Sequence, residues 1–311
     1  MPEQWIEHGI GEIRFVLVED DAIVEARILR DGIVPAGSVL AARLIGTGRL
    51  AVARAGEEEY LLPKGAPGVT EGASLTIEVT REALAGAEPW KRPLARVTSA
   101  VPAPAPAISG LTLPFPSPND PLEQAGWSDL LDEARSGIVA FPGGELRIAL
   151  TPAMTLIDVD GHLPPEQLAL AAAAAAARTI RRHGIGGSIG IDFPTIGGKA
   201  ARQSVAETID AFLPAPFERT AMNGFGFLQI VRPRRHASLF ELAADRSAFE
   251  ARALLRRASR EAGAVALTAH PTLMNALRPD WLEQLATHIG GTVSLRPDPA
   301  CRIGGGYVHR V

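Results

Sequence analysis

The run TLIDVDGHLPPEQLALAAAAAAARTIRRHGIGGSIGIDF, from Thr155 to Phe193, decides the fold of the second half of this chain. Its opening residues read as a strand that ends on polar positions, Asp158 and Asp160. Pro164 and Pro165 then open a helix, the alanines favour it, Arg181 and Arg182 fall in its last turn, and Gly184 suits a left-handed cap. GGSIGIDF is a second strand, which ends at Asp192 and turns out at Pro194. Strand, helix and strand predict a β-α-β unit with parallel strands and a right-handed crossover. A helix of this length is about 28 Å long, enough to return the chain to the edge where it started. Asp158 and Asp192 then both lie at the carboxyl edge of a parallel sheet, where α/β folds place their sites. Neighbouring strands are about 4.8 Å apart. Two carboxylates that close repel, and a bound cation relieves the repulsion. Mg²⁺ is the natural candidate, because it prefers oxygen ligands and keeps waters that can attack a phosphodiester. The bland alternative for each aspartate is a helix cap, and Asp160 in particular can be read as a helix-entry residue.

Downstream, the pattern reads helix (ARQSVAETIDAFL), strand (GFGFLQIVRP), helix (SAFEARALLRRASREAG), strand (AVALTAH), helix (RPDWLEQLATHIG) and strand (TVSLRP), with a last strand in GGGYVHRV. Upstream, FPGG at Phe141 to Gly144 is a turn between GIVAF and ELRIAL, and a helix is expected from Pro121 to Arg135. Val101 to Pro121, VPAPAPAISGLTLPFPSPNDP, reads as a semi-rigid extended linker. The first hundred residues read as strands. EIRFVLVEDDAIVEARIL alternates around an acidic turn at Glu19, Asp20 and Asp21, which predicts a hairpin. SVLAARLIG, GRLAVARA, EEEYLLP, SLTIEVTREA and RPLARVTS, separated by Gly, Pro and acidic breaks, predict a small barrel or sandwich.

The composition narrows the function classes. The chain has 311 residues, 46% hydrophobic and 21% charged, with a formal net charge of −4. It is not a disordered chain, and any nucleic-acid contact must come from local basic patches. The one cysteine, Cys301, excludes an intrachain disulfide and a four-cysteine zinc site. The histidines show no metal-ligand spacing. The start lacks a signal-peptide pattern, and the longest apolar run, Leu168 to Ala177, is far short of the ~20 residues of a membrane helix. A cytoplasmic protein with no membrane contact is expected.

TLIDVDG, RRHGIGGSIGIDF and GFGFLQIVRPR, in that order, resemble the catalytic core of the ribonuclease E/G family. The resemblance implies a magnesium site in which Asp158 and Asp192 are the metal-binding and catalytic aspartates. Asp160 falls where the family has an asparagine that supports the first of them. SGIVAFPGGELRIAL looks like the family's strand-turn-strand run, and residues 41–98 look like a shortened S1 domain. The implied fold is α+β with several subdomains: a split RNase H-like scaffold (1–40 and 121–151), an inserted S1/OB-like β-barrel (41–98), the Pro/Ala-rich linker (99–120), a DNase I-like α/β catalytic subdomain (152–235) and a small C-terminal α/β domain (236–311). The implied activity is Mg²⁺-dependent endoribonuclease cleavage of single-stranded RNA by a metal-activated water, leaving a 5′-phosphate end. The segment that carries the family's 5′-end sensor is replaced by the linker, and the cysteines of its zinc-linked dimer are absent. A catalytically inactive RNA-binding relative is the alternative, and a phosphodiesterase acting on another nucleic acid is a third reading.

For RNA contact the resemblance puts Tyr60 at a stacking position, Lys91 at a basic one and Phe225 in the segment beside the site, while Val52 and Gly224 replace an aromatic and an arginine. Two clusters, Arg178, Arg181 and Arg182, and Arg232, Arg234 and Arg235, are expected to flank the carboxylates and to touch phosphate. Lys199, after a Gly-Gly pair, and His183, beside the other, are similar candidates. The alternatives are solvated helix ends for the arginines and His183, and a core position for Tyr60.

Overall fold

The computed structural model describes residues 2–48, 50–84, 91–116 and 119–311. Strands β1 (Glu3–His8), β2 (Glu12–Glu19) and β3 (Ala22–Arg30) form an antiparallel meander. Its second turn is the acidic one: Asp20 and Asp21 both take left-handed φ values, 49° and 59°, which a two-residue hairpin connection requires. Strands β4 (Val39–Gly46), β5 (Ala51–Ala55), β6 (Glu58–Leu62), β7 (Ser74–Arg81) and β8 (Leu94–Val97) close into a five-stranded barrel in the order β4-β5-β6-β8-β7. Alternating residues, among them Leu44, Ala53, Leu62, Ile77 and Val79, fill its interior.

The Pro/Ala-rich stretch holds more than a spacer. Ala103 bridges to Val39 of the barrel, and β9 (Leu111–Leu113) adds in parallel to β1. Extended backbone favoured by proline is also strand backbone; positions 117 and 118 of this stretch lie outside the described residues. The helix expected next is broken in two, α1 (Pro121–Gln124) and α2 (Trp127–Ser136), because Gly126 between them has φ +93°. There follow β10 (Ile138–Phe141), β11 (Gly144–Leu150), β12 (Thr155–Gly161), α3 (Pro165–Arg182), β13 (Gly187–Asp192), α4 (Lys199–Phe212), β14 (Glu218–Arg219) and β15 (Phe227–Arg232). The chain ends with α5 (Leu239–Ala244), α6 (Arg246–Ala258), β16 (Val265–Ala269), α7 (Pro271–Met274), α8 (Pro279–Ile289), β17 (Val293–Pro297) and β18 (Tyr307–Arg310).

This mixed α/β chain divides into two compact units. Unit 1 gathers the segment up to Asp31, Gly110–Arg135 and Leu239–Val311. It contains a four-stranded sheet, β3-β2-β1-β9, and a three-stranded sheet, β17-β16-β18. Ile10, before β2, joins Leu254, Leu267, Trp281 and Leu285 in one core cluster, so the N-terminal strands and the C-terminal segment share a core. Charge is also buried here. Arg14 pairs with Glu7 (2.6 Å) and Glu12 (2.5 Å), and Arg256 pairs with Glu7 (2.9 Å) and Asp120 (2.7 Å).

Unit 2 comprises Gly32–Ser109 and Ser136–Ser238: the barrel and a six-stranded sheet, β10-β11-β12-β13-β15-β14. Within that sheet only β12 and β13 run parallel. One sheet face is apolar and buried: Leu146, Ile157, Val159, Ile189, Ile191, Leu228 and Ile230. Helix α3 lies on it, and its buried Ala169, Ala172, Ala173 and Ala176 allow close approach. The other face carries the polar residues that alternate with these. Among the described residues no helix is long and apolar enough to cross a membrane.

Candidate metal and nucleic-acid site

The β-α-β reading places the two aspartates, and the structure brings them together. Asp158 and Asp192 are direct partners in the parallel β12–β13 register, on the open face of the sheet, and both are exposed. Directly opposite side chains share a face about 5 Å apart. At that distance in water-like surroundings, two carboxylates repel by on the order of 1 kcal/mol.

The neighbouring strands complete the row. Across β11, Arg147 stands opposite Asp158 and Glu145 opposite Asp160. The Arg147 guanidinium contacts Asp160 at 3.0 Å and Glu145 at 2.8 Å. Asp160 is thus engaged by an arginine on the next strand. Arg147 is the residue that sequence reading missed. The signal was present: a tight FPGG turn fixes the β10–β11 register, and β11 then carries Glu145 and Arg147 in phase with Asp160 and Asp158 across the sheet.

On the β13 side, Asp192 is opposite Phe227. The loop before Phe227 is tightly built. Asn223 Oδ1 accepts from the Phe225 N–H (2.9 Å) and the Phe227 N–H (3.0 Å), and Thr195 Oγ1 donates to the Phe225 carbonyl (3.3 Å). Gly226, at φ +98°, accepts at its carbonyl from the Phe193 N–H (3.1 Å), and a Cβ there would lie 2.2 Å from the Phe193 carbonyl oxygen. This frame holds Phe225 outward, 85% exposed, beside the end of β13. From the same strand end the chain runs through Gly197 and Gly198 to Lys199, an exposed residue at the start of α4, whose N-cap makes no side-chain hydrogen bond. Open N–H groups at a helix start favour anions.

The arginine clusters do not flank this rim. Arg178, Arg181 and Arg182 close α3, the helix that carries the chain away from the end of β12 to the start of β13. Arg232 is opposite Gly187, at the start of β13, and Arg234 packs against Gly186 and Gly187. Both clusters therefore sit at the other edge of the sheet, about 16 Å from Asp192 along β13. Arg178 lies 4.4 Å above the Phe212 ring on the helical side. Exposed Arg235 is at the edge where the barrel abuts, its carbonyl accepting from the Glu82 N–H at 2.8 Å.

Two further expectations are corrected. His183 is fully buried, its Nδ1 3.3 Å from the Thr179 carbonyl, and no phosphate can reach it. Tyr60 is 1% exposed in the barrel core, and burial, aided by Glu58, pushes its phenol up to about 12. It offers no stacking face. Tyr60 alternates in phase with Leu62, and closure of the barrel turns that face inward. Lys91 lies half-buried just before β8, and Val52 is on β5, opposite Leu61. Among the described residues the barrel has no exposed aromatic.

Among the described residues no group of three or more His, Cys, Asp or Glu side chains could hold a metal. Mg²⁺ requires less, one or two carboxylates with waters completing its shell, and the exposed Asp158–Asp192 pair fits that demand. No protein-family model matches this chain, and no curated protein matches it significantly.

Proposed function

We propose that this protein is a Mg²⁺-dependent endoribonuclease acting on single-stranded RNA, similar to the ribonuclease E/G family. The observation that carries this reading is the in-register pair Asp158–Asp192 at one exposed strand edge. On this reading the six-stranded sheet is the DNase I-like catalytic subdomain and the barrel is S1/OB-like. The β3-β2-β1-β9 order supports an RNase H-like sheet.

Asp158 and Asp192 hold the cation. The ion supplies neutralisation of phosphate charge and makes its waters more acidic. Lys199 and the open N–H groups at the start of α4 bind a neighbouring phosphate. Phe225 stacks on a base beside the scissile bond, as exposed aromatics do on single strands. Arg147 holds Asp160 away from the cation and presents its guanidinium to the same rim.

The alternative, an RNA-binding relative without turnover, is favoured by the Arg147–Asp160 pair, which sets a guanidinium at the carboxylate rim. One experiment separates them: unstructured RNA is incubated with Mg²⁺ and wild-type protein, Asp158→Asn or Asp192→Asn. Cleavage by wild type that falls at least 100-fold in both variants supports the nuclease. Retention of intact RNA by all three selects the binding protein, and equal cleavage by all three removes the carboxylate mechanism.

A further inference from the structure

We infer that the exposed outer-strand residues on one side of the β17-β16-β18 sheet in unit 1 are a separate contact for single-stranded nucleic acid, taking an unstacked base on Tyr307 and its phosphate on Arg296. The inference stands apart from the carboxylate rim and does not need cleavage.

The register composes the face. Thr268 of β16 has Arg296 on one side and Tyr307 on the other, and Ala266 has Ser294 and His309. Directly paired residues point the same way, so these six share one side of the sheet, where Ser294, Arg296 and Tyr307 are exposed and Ala266 and Thr268 are buried beneath their neighbours. The other side, Val265, Leu267 and Ala269, is in the core. The small side chains of β16 let its flanking strands meet above it: Arg296 Nη1 lies 3.0 Å from His309 Nε2. An arginine can only donate, so His309 Nε2 is the acceptor in this contact. The Tyr307 ring lies 5.9 Å from the His309 ring, tilted by 36°, and Tyr307 is 51% exposed.

Charge completes the argument. Two other exposed arginines of this unit are neutralised, Arg310 by Glu261 at 2.7 Å and Arg278 by Asp280 at 2.6 Å. Exposed Arg296 has no carboxylate within ion-pair distance among the described residues, and its polar contact is the His309 ring. An unneutralised guanidinium beside two adjoining rings on a polar sheet face matches the needs of a nucleotide, a π-face and a counter-charge. It does not match a protein partner, which needs a broad apolar centre that Ser294, Thr268 and Ala266 do not supply.

The test uses the full chain, with chelator present so that probes stay intact. Short oligouridine and oligodeoxythymidine probes carrying a photoreactive iodinated base are cross-linked and the tryptic adducts mapped. An adduct on Ile303–Arg310 with either probe is expected. Tyr307→Ala should weaken binding about tenfold, and Tyr307→Phe, which keeps the ring, should restore it. Adducts confined to unit 2, or no adduct with either probe, would overturn the inference. A protein that cross-links here but never cleaves RNA leaves this inference standing and removes the nuclease; cleavage without this adduct does the reverse.

Discussion

Asp158 and Asp192 face each other across the parallel strands β12 and β13, and Arg147 faces Asp158 from the strand on its other side. One guanidinium and two carboxylates thus stand in a row on a solvent-facing sheet surface. On the proposed reading, the row would set both the cation affinity of this rim and the charge a passing phosphate meets.

Removing the guanidinium should therefore separate two properties. Arg147→Met leaves Asp158, Asp160 and Asp192 with less opposing charge, so Mg²⁺ should bind several-fold more tightly, read as a larger Mg²⁺-induced rise in Tm. RNA affinity should fall at the same time. Because the lost ion pairs are exposed, stability without Mg²⁺ should change by no more than about 1 kcal/mol. Unchanged Mg²⁺ affinity would place Arg147 outside the field of the site.

Phe225→Ala should raise KM for RNA about 5- to 100-fold, with Tm unaltered, since the ring is held out in solvent. Asn223→Ala removes the two hydrogen bonds that shape the loop and should give a smaller effect in the same direction. A Phe225→Ala enzyme with wild-type KM would show that no base rests there.

Tyr60 tests the barrel in the opposite sense. Its phenol ionises near 10 when unfolded and is pushed up to about 12 in the fold. The folded state thus keeps the proton that the unfolded state loses. The stability this contributes is complete below pH 10 and is lost as pH rises through about 12. Tyr60→Phe should remove that alkaline loss in urea titrations and leave RNA binding unchanged. Tyr60→Ala should cost about 3–5 kcal/mol.

Asp120 governs the acid side of unit 1. Burial pushes its carboxyl up, but the Arg256 hydrogen bonds and charge, the Glu123 N–H and Arg260 outweigh this and hold it below the usual carboxylate range. Its contribution is present above the ordinary carboxylate pKa and disappears as pH falls through the lowered one. Asp120→Asn should flatten the acid limb of stability against pH. Arg256→Met, which leaves Glu7 to Arg14 alone and Asp120 to Arg260 alone, should cost about 3 kcal/mol at neutral pH.

The strand-helix-strand at Thr155–Asp192 was legible because proline, alanine and glycine punctuate it where a crossover must start and stop. The same helix arithmetic carries Arg181 and Arg182 to the far edge, so their distance from Asp192 was implicit in the length of α3. Other features needed tertiary information. Alternation put Tyr60 in phase with Leu62 but did not say which face of β6 would turn inward. Proline-rich spacing concealed β9, since three residues of extended chain become a strand only when β1 lies alongside. Gly126 divided a helix whose apolar positions alone suggested one piece.

The interleaved order of the two units bears on how the protein is made. The ribosome has delivered all of unit 2 once Ser238 emerges, whereas unit 1 waits for Leu239–Val311. Until then the sticky inner side of the β1–β3 meander, with Val16, Val18, Ala26 and Ile28, has no α5 to shield it. A nascent chain thus finishes its candidate cleavage rim while its opening meander is still a client for chaperones, and translation stalled before α5 would release a product prone to aggregate through its first strands.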